Sequence, residues 1–222
     1  VERAEVVLRV TDARTTGGRF ISLEGGEGAG KSTQLSALAA ALRARGLEVV
    51  ETREPGGSEG AEAIRALLLT GGADRWSPRA EALLFAAARA DHVEKTIRPA
   101  LERGAWVLSD RFLDSSRAYQ GMGSLTDADI LALHRIGSDG FLPDRTLFLT
   151  LAEEEASARA QSRDGDAADR IGGRDRDFHR AVSTAFHRFA QQEPARFLTV
   201  DASGEAEAVT ARLLHALQDL LP

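Results

Sequence analysis

The sequence contains no cysteine, which excludes disulfides, thiolate zinc sites and a cysteine nucleophile and suits a reducing compartment. It is also short of lysine: of 28 basic residues only Lys31 and Lys95 are not arginine. With so few lysines there is no N-K-x-D, so a guanine-reading switch is excluded. The arginine excess runs through the whole composition and gives no single arginine weight. No apolar run approaches the roughly 20 residues that span a bilayer, and the opening residues carry no secretory pattern. A soluble, cytoplasmic protein without a membrane partner is the expectation. A net charge of −6 lacks the basic field that a nucleic-acid polymer attracts, which leaves small anions gripped by local arginines. What remains is a chain of 222 residues, 43% of them hydrophobic, at the upper end of what one core supports.

Residues 1–18 read as an extension, either disordered or an edge strand at "EVVLRV", ahead of a domain over 19–222. Within that domain, short β-leaning apolar runs at 19–24, 47–52, 105–110, 145–151 and 196–202 alternate with helical stretches. The helical stretches are 32–46, ended by Gly46; 58–71; 77–104, with a Ser77 cap backed by Pro78; and a closing helix over roughly 204–221. Alternation of this kind implies parallel pairing through right-handed crossovers, and continuous apolar strands imply helices on both faces. The expectation is an α/β protein with three α/β/α layers. "SRDGDAADRIGGRDRD" (162–177) is charged, glycine-rich and too polar for a core, and reads as a mobile surface segment.

The loop "GGEGAGKST" lies between the first strand and the first helix and matches G-x-x-x-x-G-K-[ST] through Gly25, Gly30, Lys31 and Ser32. Its glycines let backbone amides curl around phosphate oxygens, and the helix N-terminus adds the positive end of its dipole. Gly25, Gly26, Glu27, Gly28, Ala29, Gly30, Lys31, Ser32 and Thr33 are therefore the candidate cradle for the phosphates of ATP. Lys31 would reach the β- and γ-phosphates, and the Ser32 hydroxyl would ligate Mg²⁺. Glu27 is an acid where phosphate is to bind. Either it points to solvent, or it faces a second substrate, and the second case makes the protein a transferase.

A transferase needs its second site at the carboxyl ends of the strands. Arg53 ends the second strand in "TREPGG"; Asp110 ends the third, as a Mg²⁺-orienting carboxylate would, and Arg111 follows it. Phe85 and Arg89 are four apart on one helix face, where the ring can stack on a base and the guanidinium can hold its phosphate. Taken singly, Phe85 reads equally as core and Arg89 as a surface ion pair. Arg159, Arg163, Arg170, Arg174 and Arg176 are candidates either for a flap that closes over the reaction and supplies charge, or for a solvated loop.

Together "FISLEGGEGAGKSTQ", "TREPGGSEGAEAIRALLL", "EALLFAAARADHVEKTIRPALERG", "VLSDRFLDSSRAYQG" and "LPDRTLFLTL" resemble the thymidylate kinases over roughly residues 19–220. The resemblance implies the P-loop nucleoside monophosphate kinase fold: a five-stranded parallel sheet of order 2-3-1-4-5 with a lid at about 159–177. It implies ATP and Mg²⁺ as co-substrate and metal, dTMP as acceptor, and a homodimer. By position, it places Lys31, Arg111, Arg159 and Arg163 in catalysis and Ser32 and Asp110 on the metal. Arg53, Arg89 and Arg111 fall on the phosphates, Phe85 on thymine, and Ser116, Tyr119 and Gln120 on base and deoxyribose, with Glu27 reaching either the acceptor sugar or the metal region. The family's tyrosine packs where a ribose 2′-hydroxyl would sit. The chain departs from the family's short lid, "RG-x-x-DR-x-E", with the longer "RDGDAADRIGGRDRD", where Gly172 or Gly173 stands at the expected acid. Two alternatives stay open on sequence: a kinase for another monophosphate such as dUMP, and a non-catalytic nucleotide-binding regulatory protein.

Overall fold

The computed structural model describes residues 17–72, 74–164 and 170–222, the side chains of 160–164 excepted. The proposed extension up to residue 16 lies outside the described residues, whereas Gly18 is buried: a Cβ there would come within 2.8 Å of the Leu101 carbonyl.

Five strands, β1 (Phe20–Glu24), β2 (Val49–Arg53), β3 (Trp106–Asp110), β4 (Arg145–Thr150) and β5 (Phe197–Asp201), pair in parallel in the order β2-β3-β1-β4-β5. Every residue of β1 is buried, as a central strand covered on both faces requires. On one face α1 (Lys31–Arg43) and α9 (Ala206–Ala216) pack Leu35, Leu38 and Leu42 against Val209, Leu213 and Leu217. On the other lie α2 (Glu59–Leu69), α3 (Pro78–His92), α4 (Arg98–Glu102), α5 (Leu113–Gln120) and α6 (Asp127–Ser138), around Phe20, Ile97, Leu101, Val107 and Phe112. α7 (Glu153–Asp164) follows β4, and α8 (Arg176–Gln192) brings Val182, Phe186 and Phe189 against Phe148 and Phe197. Among the described residues no helix is long and apolar enough to cross a membrane.

The stretch read as one helix over 77–104 is divided. Ser77 caps it, accepting from the Ala80 amide at 3.3 Å, but a π turn at Val93–Ile97 separates α3 from α4. Pro99 cannot donate to the Lys95 carbonyl, and a widened turn accommodates the missing bond. The closing helix is shorter than 204–221, ending at Ala216. The segment read as too polar for any core also needs correction: Arg170 and Ile171 are buried, the latter among the aromatic side chains of α8. One apolar residue and a buried partner for the guanidinium suffice to dock it.

Beneath the site, Asp114 is fully buried between two arginines. Arg196 donates to it at 2.6 and 2.9 Å and Arg117 at 2.9 Å. Burial alone would raise its pKa, but the two guanidinium groups outweigh burial and hold the carboxyl well below its usual range. The Arg117 bridge lies within α5, and the Arg196 bridge ties α5 to the start of β5, which helps fix the helix that carries Ser115, Ser116, Tyr119 and Gln120.

Candidate active site

Strand register brings the sequence-distant candidates to one edge. Asp110 lies opposite Arg53 on one side and Leu23 on the other, so the carboxyl ends of β1, β2 and β3 finish level beside the glycine loop. In that loop Gly25 adopts φ +146°, and a Cβ there would sit 2.6 Å from the Leu149 carbonyl, a conformation and a clearance that only glycine meets. Serine, threonine or aspartate side chains cap the N-termini of α2, α3, α6 and α8; α1 has no such cap and no acid in its first turn. Its amides are left for an anion.

Lys31 is buried, with Nζ donating to the Gly26 carbonyl at 2.8 Å. Burial and the neighbouring Arg111 charge both push its pKa below the usual lysine value. Ser32 Oγ donates to Asp110 Oδ2 at 2.6 Å. A hydroxyl and a carboxylate, both hard oxygens, thus stand together at the end of β3, next to the lysine. That donor set fits Mg²⁺, which binds through one or two protein oxygens and takes the rest of its shell from phosphates and water.

Arg111 explains how an acid can sit in the phosphate loop. Its guanidinium donates to Glu27 at 2.5 Å, to the Gly25 carbonyl at 3.1 Å and to Ser115 Oγ at 3.0 Å, and lies 5.0 Å over the Tyr119 ring. The backbone reaches this position at φ +71°, a left-handed conformation costing about 1 kcal/mol or more for a residue with a Cβ. It is held there by the Arg111 amide on Leu23 O at 3.0 Å and by Ser109 Oγ on Arg111 O at 2.7 Å. Below it, Glu24 is buried and accepts from the Phe112 amide and Ser115 Oγ; burial and the Asp114 charge raise its pKa to about 8.

Arg89 is the centre of a second network. Its Nε donates to Glu54 at 2.7 Å and its Nη2 to Ser116 Oγ at 2.7 Å; His92 touches the other Glu54 oxygen at 3.0 Å and Thr52 Oγ1 at 2.7 Å. Arg89 and Glu54 are each 3% exposed, so the ion pair is buried and the reading of Arg89 as a surface ion pair does not survive. Gly57, at φ +87°, is required by the same network: a Cβ would meet His92 Nε2 at 2.4 Å. Arg53, by contrast, is 55% exposed and paired with Glu62 at 3.2 Å. An exposed pair of that kind contributes about 0–1 kcal/mol, so Arg53 can leave Glu62 for a ligand at little cost.

These groups enclose a cavity of about 400 Å³. Its wall brings together Glu27, Lys31, Ser32, Arg53, Phe85, Arg89, Asp110, Arg111, Ser116, Tyr119 and Gln120. Five basic residues, Arg65 completing the set, face three acidic ones, a positive surplus of two that matches a dianionic phosphate. Phe85 is half-buried on the wall rather than lost in the core. Among the described residues the buried Tyr119 hydroxyl has no hydrogen-bond partner within bonding geometry, and burial pushes its pKa up to about 12, so it stays neutral.

Arg159 stands apart from this wall. It donates to Glu155 at 2.5 Å and to Ala202 O at 3.4 Å, and a Cβ on Gly30 would lie 4.0 Å from its Nη1, which puts it beside the phosphate loop. The Arg163 side chain lies outside the described residues. Arg170 and Arg174 both turn to Glu81, and Arg176 pairs with Glu153 at 3.5 Å. The residues that sequence reasoning passed over are Glu24, Glu54, Glu81, His92 and Ser115. Glu54 follows Arg53 directly and His92 lies three residues past Arg89, but nothing in one sequence says that strand and helix bring them into contact.

A family model described as thymidylate kinase matches residues 23–213. The chain is similar to the thymidylate kinase of Rhizorhabdus wittichii, 64% identical over 206 residues that cover 92% of this chain and 99% of the relative. With that of Caulobacter vibrioides it shares 51% identity over 201 residues, covering 89% of this chain and 95% of the relative. Among solved structures, a thymidylate kinase from Ehrlichia chaffeensis superposes with a TM-score of 0.74 at 30% identity, over 91% of this chain and 100% of that one.

Proposed function

Since the chain belongs to the thymidylate kinase family, we propose that it transfers the γ-phosphoryl group of ATP to the 5′-phosphate of dTMP, giving dTDP and ADP. The observation that carries this reading is one shared cavity, whose wall holds Lys31 of the phosphate loop together with Arg53, Arg89, Arg111 and Phe85. In the reaction the bond between the γ-phosphorus and its bridging oxygen breaks as one from an acceptor phosphate oxygen forms. The acceptor is already an anion, so no covalent enzyme intermediate and no general base are needed; the protein contributes position and charge. Arg89 and Arg53 align the acceptor phosphate, Phe85 stacks on the base, and Ser116, Tyr119 and Gln120 bound the sugar and base. Arg111 neutralises Glu27 and faces the phosphates, and Arg159, with Arg163, attends the donor. Ser32 and Asp110 would hold Mg²⁺, which when bound screens the phosphate charge.

The domain runs over 19–222 with its lid at about 159–177, and the protein works in the cytoplasm as a homodimer. Supporting the dimer, the side-by-side helices α2, α3 and α6 leave Leu67, Leu83 and Ile136 exposed, Ile136 by 78%. Sedimentation equilibrium should give twice the chain mass; a single-chain mass would remove this part of the reading.

ADP release coupled to a panel of monophosphates tests the function. Turnover should depend on dTMP, with dUMP poorer by about 10–200-fold, the worth of one methyl in an apolar pocket. ATP binding without turnover on any acceptor would instead favour a regulatory protein.

A further inference from the structure

Glu81, in the first turn of α3, is 3% exposed and outside every role assigned above. Three groups converge on its carboxylate: Arg170 at 2.6 Å, Arg174 at 2.9 and 3.0 Å, and the Gln120 amide at 3.0 Å. The two arginines belong to the turn between α7 and α8; Gln120 ends α5 and lines the acceptor cavity. The turn is also anchored by Arg170 Nε on the Leu68 carbonyl at 2.8 Å and by buried Ile171. Between these anchors Ile171 and Gly172 form part of the acceptor cavity wall. Gly172 and Glu27 line, in addition, a second cavity of about 600 Å³ between β4, α7 and α8, so the turn is the partition between the two spaces.

We propose that Glu81 is a positioning residue for phosphoryl transfer: it latches the 170–174 turn over the acceptor cavity through Arg170 and Arg174, and shares that latch with the acceptor wall through Gln120. A carboxylate is required because two guanidinium groups meet at one buried point, where a neutral acceptor leaves their charge uncompensated. When the latch opens, the partition goes, the two cavities join and water reaches the γ-phosphorus. Water then replaces the acceptor oxygen as nucleophile and ATP yields ADP and inorganic phosphate instead of dTDP. This inference rests on the kinase reading for its consequence, but not for the latch itself.

Glu81→Gln keeps an oxygen for Gln120 and removes the charge. In the full-length variant without nucleotide, hydrogen exchange of the amides at 170–174 should quicken by about fivefold or more, reporting local opening. With both substrates saturating, kcat should fall by about tenfold or more and ADP should exceed dTDP, while KM for dTMP stays within about threefold. Adding Arg174→Met should change little further, because the two residues act as one unit. Unchanged exchange, or additive losses in the double variant, would overturn the latch. If Glu81→Gln does not fold, Arg174→Met alone, on a partly exposed side chain, must quicken exchange and uncouple ADP from dTDP, or the proposal fails. A wild-type protein that exchanges as expected but does not phosphorylate dTMP would sink the kinase reading and leave the latch standing.

Discussion

Replacing Lys31 with methionine is expected to slow transfer to dTMP by about 10³-fold, the scale on which single charge-stabilising groups act in phosphoryl transfer. The same variant without nucleotide should melt no lower than the wild type. The reason is the electrostatic state of the side chain. Lys31 is buried, and burial and Arg111 both hold its pKa below 10.5. A lysine whose folded pKa lies below its unfolded value loses stability in its charged form at neutral pH, and that loss fades as pH rises through the folded pKa. Removing the charge therefore relieves the ligand-free fold, while it deprives a polyphosphate of its one ammonium. Differential scanning calorimetry beside the coupled assay checks both halves. Near-normal turnover would refute the assignment of Lys31, and a collapsed melting temperature would mean that its role is structural.

Arg89→Met is expected to damage fold and function together, and pH separates the two. The Arg89–Glu54 pair is buried on both sides, and breaking such a pair costs about 3–5 kcal/mol because an uncompensated carboxylate stays behind. At about 2–4 °C per kcal/mol for a domain of this size, the melting temperature should fall by roughly 6–20 °C near pH 7.5. In the wild type, burial would raise the Glu54 pKa, but Arg89 and His92 outweigh it and lower it from 4.5. That contribution is full above the unfolded pKa and disappears as pH falls through the folded one. In the variant burial wins, the Glu54 pKa rises above 4.5, and the penalty is full at neutral pH but shrinks as Glu54 takes up a proton. The gap between the melting curves should therefore narrow from pH 7.5 to pH 5. Adding Glu54→Gln should return most of the stability without the charge, and kcat/KM for dTMP should stay down by about 10²-fold or more. Activity that recovers along with stability would make Arg89 a structural residue only.

How much of this was legible in the chain varies residue by residue. The phosphate loop is a contiguous string whose geometry depends on its own glycines, so its place between β1 and α1 follows from local pattern. The ends of β2 and β3 are similarly legible, since Arg53 and Asp110 close apolar runs and parallel strands finish level. Ser77 and Pro78 mark a helix start for the same local reason. The π turn before Pro99 was less visible: the proline shows that a bond is missing but not how the helix absorbs it. The burial of Ile171 and Arg170 was hidden because a polar window average conceals one apolar residue and one arginine whose partner lies 89 positions away, at Glu81.

By itself the sequence determined the parallel α/β architecture, the polyphosphate cradle and the residue types available for a second anion, because each rests on short-range periodicity, loop composition or strand termini. Tertiary structure alone decided which charges oppose one another. Arg111 meets Glu27 across 84 positions and Arg89 meets Glu54 across 35, in a register that the sheet and the crossing of α3 impose. Charge pairing depends on distance in space, and a linear chain records that distance only after its strands and helices have packed.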